Sequence, residues 1–440
     1  MKRKSLGLLS TSVLAFSVFL TACSSQTDTT KTTSSSKNVT ASKQVQVTMT
    51  FATGDPADSA AKEDVIKAFE QKYPNIKITE NNSGTGSYMQ VLQTKDAVGE
   101  FPDFVEMRDT QVFADAGKIA PLPQESESPF ASLPEIKGKH YVAPIVSQAP
   151  QGIIYNKKIF KDLGLKEPKN LSDFYALSEK IKKSGISPLV VGGGDLWHLG
   201  FWINKFLIDD VYAKNPNWNS ERAKGKVHFS DDNVVKALKD MKKLWDDGLV
   251  DKGWSSTPDN QTTQMLVSGK AAMLYSGTWM FNQIQQADPN FEMGFFAIPD
   301  ENGKVALTSA LPPQGWAIST KAEKDPAKVD AFNKFVKFYF SKDQYSSYLS
   351  KVSGLSSIKE PVTYDAIAPM KTAMKLVSDP KNTQTLMINQ FYGDNQIPPQ
   401  FRDWFYKTIT QTLNGQITIK DAMKKADTEW DTEYKAWKKQ

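Results

Sequence analysis

The chain is poor in the residues that metal and nucleophilic chemistry depend on. Among its 440 residues there is one cysteine, Cys23, and there are three histidines, His140, His198 and His228. A single cysteine excludes an internal disulfide and any cysteine-rich metal site. The sequence contains no Gly-x-Ser-x-Gly elbow, no His-Glu-x-x-His pair and no Gly-x-x-x-x-Gly-Lys-[Ser/Thr] loop. Serine hydrolase, zinc protease and nucleotide-hydrolysing readings therefore lack their carriers, and no cofactor is expected. Net charge is also low, +5. Three of the positive charges, Lys2, Arg3 and Lys4, sit at the very start, and elsewhere lysines alternate with acids. No basic stripe marks a nucleic-acid partner. Lysine-rich blocks such as 180–183 read as solvated helix faces. No internal repeat of solenoid or propeller period is present.

What is there begins at the N-terminus. Lys2, Arg3 and Lys4 precede a mostly apolar run over 6–20, and Thr21 and Ala22 follow. This is the three-part layout of a secretory signal. The run falls short of the ~20 apolar residues of a comfortable membrane span. Cys23 at the junction resembles the lipobox of bacterial lipoproteins, Leu-small-small-Cys, with Thr21 where Ser or Ala is commoner. The resemblance implies cleavage after Ala22, so that 1–22 is a signal peptide, and a diacylglycerol thioether on Cys23. A lipoprotein anchored on the outer face of the cytoplasmic membrane is the expectation, since two or more acyl chains hold where one does not. A cleaved signal without lipid, or a plain N-terminal anchor, is the alternative. Residues 23–45 are dominated by Ser, Thr, Lys and Gln and cannot bury enough surface to offset their ordering entropy. They are expected to serve as a tether.

The remainder exceeds what one core normally holds, so two lobes are expected. Residues 45–51 alternate as a strand, 60–73 carry apolar residues at helical spacing, and Pro74-Asn75 stops that helix. A strand over 76–79, a helix over 87–98 and a strand over 103–107 follow. This order predicts an α/β lobe with a largely parallel sheet. Further strands are expected at 142–146, 152–155, 188–191, 271–275, 293–298 and 317–319. Helices are expected at 173–184, 234–247, 326–340, 401–413 and 419–437.

Three stretches carry a resemblance. The first is Gly152-Ile153-Ile154-Tyr155-Asn156 running to Leu171-Ser172-Asp173-Phe174. The second is Phe69-Glu70 to Tyr73-Pro74-Asn75-Ile76-Lys77, then Phe101-Pro102-Asp103. The third is Ser268-Gly269-Lys270-Ala271-Ala272-Met273 running to Gly277-Thr278-Trp279. In this order they resemble the family 1 extracellular solute-binding proteins of ABC importers, the group of maltodextrin- and multiple-sugar-binding proteins. The resemblance spans 45–440. It implies a periplasmic-binding-protein-like fold of type II, two α/β lobes joined by a hinge with the ligand in the cleft between them. Lobe one would be 46–146 plus 304–358 and lobe two 147–303 plus 359–440. It also implies a monomer that hands a carbohydrate to importer permease subunits served by a separate ATPase.

A sugar offers C–H faces that stack on aromatics and a rim of hydroxyls that suits planar polar side chains. Loops after strands that combine both are the candidates. Asp195, Trp197 and His198 follow a strand and the run Gly192-Gly193-Gly194; their alternative role is a capped helix start packed on the lobe. Trp279 and Trp404 match stacking positions of the family, and Asp403 accompanies the latter. Tyr392 is a weaker candidate. In lobe one, Asp55, Glu106, Arg108, Asp109, Gln148 and Gln314 lie in loops or at strand ends. Trp316, Trp245, Trp430 and Trp437 read as packing residues, and Trp202 could face either way.

Other functions remain open at this point. A secreted glycoside hydrolase needs two carboxylates about 5–10 Å apart, which Asp55, Asp109 and Asp195 could supply. The same fold could hold a polyamine, a peptide, iron or a phosphorylated compound. The Gly192–Gly194 run is a faint phosphate-loop signal, but Asp195 beside it would repel an anion. An adhesin without transport is a third possibility.

Overall fold

The computed structural model describes residues 44–83, 87–147 and 149–438. Cys23 and Gln148 lie outside the described residues. Two sheets, each with its own core, organise the rest.

The 45–51 stretch forms the strand Val45–Thr50 and turns Val47 and Met49 into the interior. It runs parallel to Ile76–Glu80 on one side and to Phe104–Met107 on the other. Gly315–Ile318 closes the edge antiparallel to Phe104–Met107. Strands joined through helices become parallel neighbours, whereas this fourth strand returns from far along the chain. The helix Pro56–Lys72 starts early because Asp55 Oδ1 accepts from the N–H groups of Ala57 and Asp58, at 2.9 and 3.3 Å. Pro56 opens it without losing a hydrogen bond. Edge-on aromatic contacts fill the core: Phe69 and Trp316 each meet Phe335, at centroid distances of 5.4 and 5.3 Å.

In the second sheet the expected parallel order gives way. Gln151–Asn156 is buried along its length and pairs antiparallel with both Ala271–Gly277 and Met293–Phe296. Only Ser187–Val190 runs parallel to its neighbour, Ala271–Gly277. The chain enters this sheet at Gln151–Asn156 directly from the first lobe, with no helical crossover to force a parallel neighbour. The expected strand over 142–146 also fails. Ala143 alone exchanges hydrogen bonds with Trp316, at 2.8 and 2.9 Å, because Pro144 has no N–H to continue a ladder. The helix Leu196–Leu207 is buried from residue 198 to 207, its polar His198, Asn204 and Lys205 included, so the polarity of its residues does not mark an exposed face. Trp202, Trp316 and Trp430 are all fully buried. Trp202 thus turns to the core, against Tyr275 at 4.7 Å. The helices Phe401–Leu413 and Ile419–Trp437 stand where the periodicity puts them.

The apolar contacts of the chain change core between 146 and 153, between 306 and 316, and over 352–366, where Leu355 joins the second core, Ile358 and Val362 return to the first and Ala366 joins the second again. The second change comes later than the 304 boundary expected from the sequence. Ala306–Leu307 pairs with Thr383–Gln384, and the Gln151 N–H donates to Thr308 Oγ1 at 3.3 Å, so residues up to 308 are held by the second lobe. No helix among the described residues is long and apolar enough to cross a membrane.

Candidate ligand cleft

A cavity of about 610 Å³ opens between the lobes. Of the candidates named from the sequence, Asp55, Glu106, Arg108, Trp197, Trp279 and Gln314 line it. They come from both sheets and are brought together only by the fold.

The first-lobe wall is built from charges that answer one another. Glu106, at the end of its strand, is 5% exposed. Its carboxylate accepts from Ala52 N–H at 3.0 Å, Lys62 Nζ at 2.7 Å and Arg108 Nε at 2.9 Å. Burial pushes its carboxyl up, but Arg108, Lys62 and the Ala52 N–H outweigh this and hold it at about 2. Lys62, 1% exposed, also meets Asp58 at 2.6 Å, and Asp58 accepts from the Tyr348 hydroxyl at 2.7 Å. Arg108 lies 3.9 Å from Asp58 and 5.9 Å above the Tyr88 ring. Glu106 raises the guanidinium further above its usual range against the opposing effect of burial. The sequence reading missed Asp58, Lys62 and Tyr348. The Asp58-x-x-x-Lys62 spacing on the first helix carried the signal, but nothing local said that this face meets Glu106. Gln314 donates to the Arg108 carbonyl at 3.2 Å. Glu106 therefore serves mainly to hold Arg108 and Lys62, and has little left for a ligand.

The second-lobe wall is aromatic. Trp197 is 45% exposed, rare for an indole, and its ring meets Phe201 edge-on at 5.4 Å. Phe201 in turn touches Trp279 at 5.5 Å. Gly277 permits this, because a Cβ there would run into the Trp279 ring. A continuous apolar shelf results. Gln283, Thr278 and Gln390 add polar groups to the lining.

The other candidates are elsewhere. His198 is wholly buried, with Nδ1 2.6 Å from Asp259 Oδ1. Asp195 accepts from the Asp259 N–H at 2.8 Å, so it caps the helix Asp259–Val267. Neither lines the cavity. Both hold Asp259, which does and which the sequence reading missed. The glycine run makes this possible: a Cβ on Gly192 would lie 2.9 Å from Asp259 Cα, and one on Gly193 would lie 2.5 Å from the Trp254 ring. The glycines are spent on close packing and not on a phosphate. Trp404 stacks on Phe401 at 6.0 Å against the second core, and Asp403 pairs with Arg402 at 2.6 Å. Asp109 faces that pair from the first lobe. Burial raises its carboxyl, opposed by Arg402 and then Arg108. Nearby, Gly393 N–H donates to Gln111 Oε1 at 3.1 Å. These candidates thus sit at a bridge between the lobes. A second bridge runs from Thr278 Oγ1 to the Ser353 carbonyl at 3.0 Å, with Ser353 in the left-handed region at φ 48°.

Among the described residues no group of three or more His, Cys, Asp or Glu could hold a metal ion. The cleft can accept a flat, partly apolar solute on its indoles and offer it paired polar groups opposite.

Known proteins similar to this chain agree with that architecture. A multiple sugar-binding protein of Streptococcus mutans is 27% identical over 361 residues, covering 78% of this chain and 82% of that protein. A chitin oligosaccharide binding protein superposes with a TM-score of 0.76 at 22% identity, covering 89% of this chain and 99% of that one. The solute-binding protein RafE in complex with raffinose gives a TM-score of 0.70 at 21% identity, covering 88% and 100%. Both structures share the two-lobed fold. Residues 52–346 match the family described as bacterial extracellular solute-binding protein, and the chain belongs to that family.

Proposed function

We propose that this protein captures an oligosaccharide outside the cell and delivers it to an ABC importer. The observation that carries the reading is the pairing of two walls: an indole shelf of Trp197 and Trp279 facing a wall whose charges cancel. Lys62 and Arg108 are matched by Asp58 and Glu106. A phosphorylated anion meets no unpaired cation there, and a polyamine meets carboxylates that are mostly answered already, Asp58 and Glu106 by Lys62 and Arg108, with Asp55 and Asp259 the exceptions. A neutral solute with a C–H face and many hydroxyls meets neither difficulty. The names of relatives and structural neighbours, which speak of multiple sugars, raffinose and chitin oligosaccharide, support the same class.

Delivery would follow from closure. A solute resting on the indoles gains the polar wall only when the lobes approach, so it shifts the population toward the closed form. That form would dock on permease subunits, with ATP hydrolysed by another chain. We assign lobe one to 46–146 plus 309–358 and lobe two to 147–308 plus 359–440. The protein would work as a monomer, held to the outer face of the cytoplasmic membrane by lipid on Cys23.

The test is tryptophan fluorescence of the chain from Ser24 onward, titrated with mono- and oligosaccharides and with polyamine and peptide controls. One sugar class should give a saturable shift, and Trp279→Ala should weaken it about 30-fold or more, as loss of an interface anchor does. A flat response to every sugar together with binding of a charged control overturns the reading.

A further inference from the structure

We infer that Asp259 is the carboxylate with which the second lobe reads the hydroxyl pattern of its solute, and that His198 and Asp195 are the residues that position it. The inference rests on the carbohydrate reading above and sharpens it.

Asp259 begins the helix Asp259–Val267 and reaches the cleft on the same wall as the two indoles. Its side chain is 15% exposed, enough to touch a ligand and too little to be freely hydrated. Oδ1 is taken by His198 at 2.6 Å. That imidazole is completely buried, and its Nε2 has no hydrogen-bond partner. A proton on the unpartnered Nε2 would be stranded, so the neutral ring carries its proton on Nδ1 and spends its one N–H on Asp259. The Asp259 backbone N–H is fixed in turn by Asp195 Oδ2 at 2.8 Å. Side chain and backbone are therefore clamped by two different residues of one neighbouring segment. Oδ2 has no protein partner among the described residues.

A carboxylate with one oxygen clamped and the other open, mostly withdrawn from water, is suited to accept from a donor that a ligand brings. A hydroxyl is such a donor, and a charged acceptor makes that bond short and strong. The His198 ring centroid lies 5.8 Å from that of Trp197, so the open oxygen works beside the stacking shelf. Ring stacking tolerates many sugars. A fixed acceptor does not, because a sugar that points its hydroxyl elsewhere leaves a half-buried carboxylate unpaired. Asp259 would then set which sugars bind, and the tryptophans how tightly.

The test uses the full chain from Ser24 and a panel of raffinose, stachyose and chitotriose, continuing with whichever binds and its monodeoxy analogues. Asp259→Ala should weaken that sugar about 100-fold and the near-isosteric Asp259→Asn about 10-fold, with circular dichroism confirming the fold. One deoxy analogue should bind the wild type about as poorly as Asp259→Ala does, and should lose nothing further in that variant. His198→Asn, whose amide can replace the Nδ1 donor, should stay within about 3-fold of wild type, while His198→Leu falls about 10-fold. A purely structural histidine would not show that rescue. If Asp259→Asn is folded and binds every sugar like the wild type while Trp279→Ala does not, the inference is wrong and the carbohydrate reading stands. If no sugar of the panel binds the wild type, both fall.

Discussion

Replacing Lys62 with methionine should cost more at neutral pH than at acid pH. Lys62 is 1% exposed and sits between Asp58 and Glu106 at 2.6 and 2.7 Å. Its removal leaves Glu106, itself 5% exposed, with Arg108 and one N–H. Breaking a buried pair from one side costs about 3–5 kcal/mol. The charge on Glu106 gives an independent figure. Its carboxyl is held at about 2 in the folded chain against an ordinary 4.5. A folded value below the unfolded one stabilises the protein above the unfolded value, and this is lost as pH falls toward the folded value. At pH 7 the difference amounts to roughly 3 kcal/mol and at pH 3 to roughly 1 kcal/mol, shared among Arg108, Lys62 and the Ala52 N–H. Arg108 and the Ala52 N–H keep their shares in Lys62→Met, so the gap between wild type and variant should narrow by roughly 1 kcal/mol between pH 7 and pH 3. Urea unfolding followed by tryptophan fluorescence at both pH values measures it. A gap below about 1 kcal/mol at pH 7, or one that does not change with pH, refutes the claim that Lys62 holds Glu106 ionised.

Three further outcomes are expected. Asp209 is buried, and desolvation, only partly opposed by Lys205, lifts its carboxyl to about 6 from 3.8. Its folded value lies above the unfolded one, so stability falls as pH rises from about 4 to 6, and the stability of Asp209→Asn relative to the wild type should rise by roughly 1 kcal/mol between pH 5 and pH 8 in the same unfolding assay. Gly193→Ala would set a methyl 2.5 Å from the Trp254 ring and 2.8 Å from its carbonyl, and should lower stability by about 1–3 kcal/mol, read as a fall in the melting temperature. Cys23→Ala in the full chain should move the protein from the membrane fraction to the medium and abolish incorporation of labelled palmitate.

The stops, caps and helical spacing of Pro74-Asn75, Asp55-Pro56 and 401–437 are local signals, and the structure keeps them. What the sequence hid was long-range. Nothing near Gln151–Asn156 says that its strand enters the second sheet from the other lobe and pairs antiparallel on both sides. The helix Leu196–Leu207 buries His198, Asn204 and Lys205 along with its apolar residues, so its sequence does not show that it lies wholly in the core. For the cleft, residue type alone picked out Trp197 and Trp279, since indoles are costly to leave in water and gain from a stacked ring. It could not divide Asp195, His198 and Asp259 between holder and held. The motif Gly194-Asp195-Leu196-Trp197-His198 looks like a ligand set because it places an acid, an indole and an imidazole together. In the fold a helix turns the indole outward and the imidazole inward. The inward group then selects a partner from the 259 segment, which only the glycine run lets approach. A binding motif in a buried helix is thus read correctly only after its partner segment is known. This explains why the charged wall was half legible as well: Glu106 and Arg108 announced themselves at a strand end, while Lys62, which pairs with Glu106, and Asp58, which lies beside Arg108, came from a helix face that looked like ordinary solvated surface.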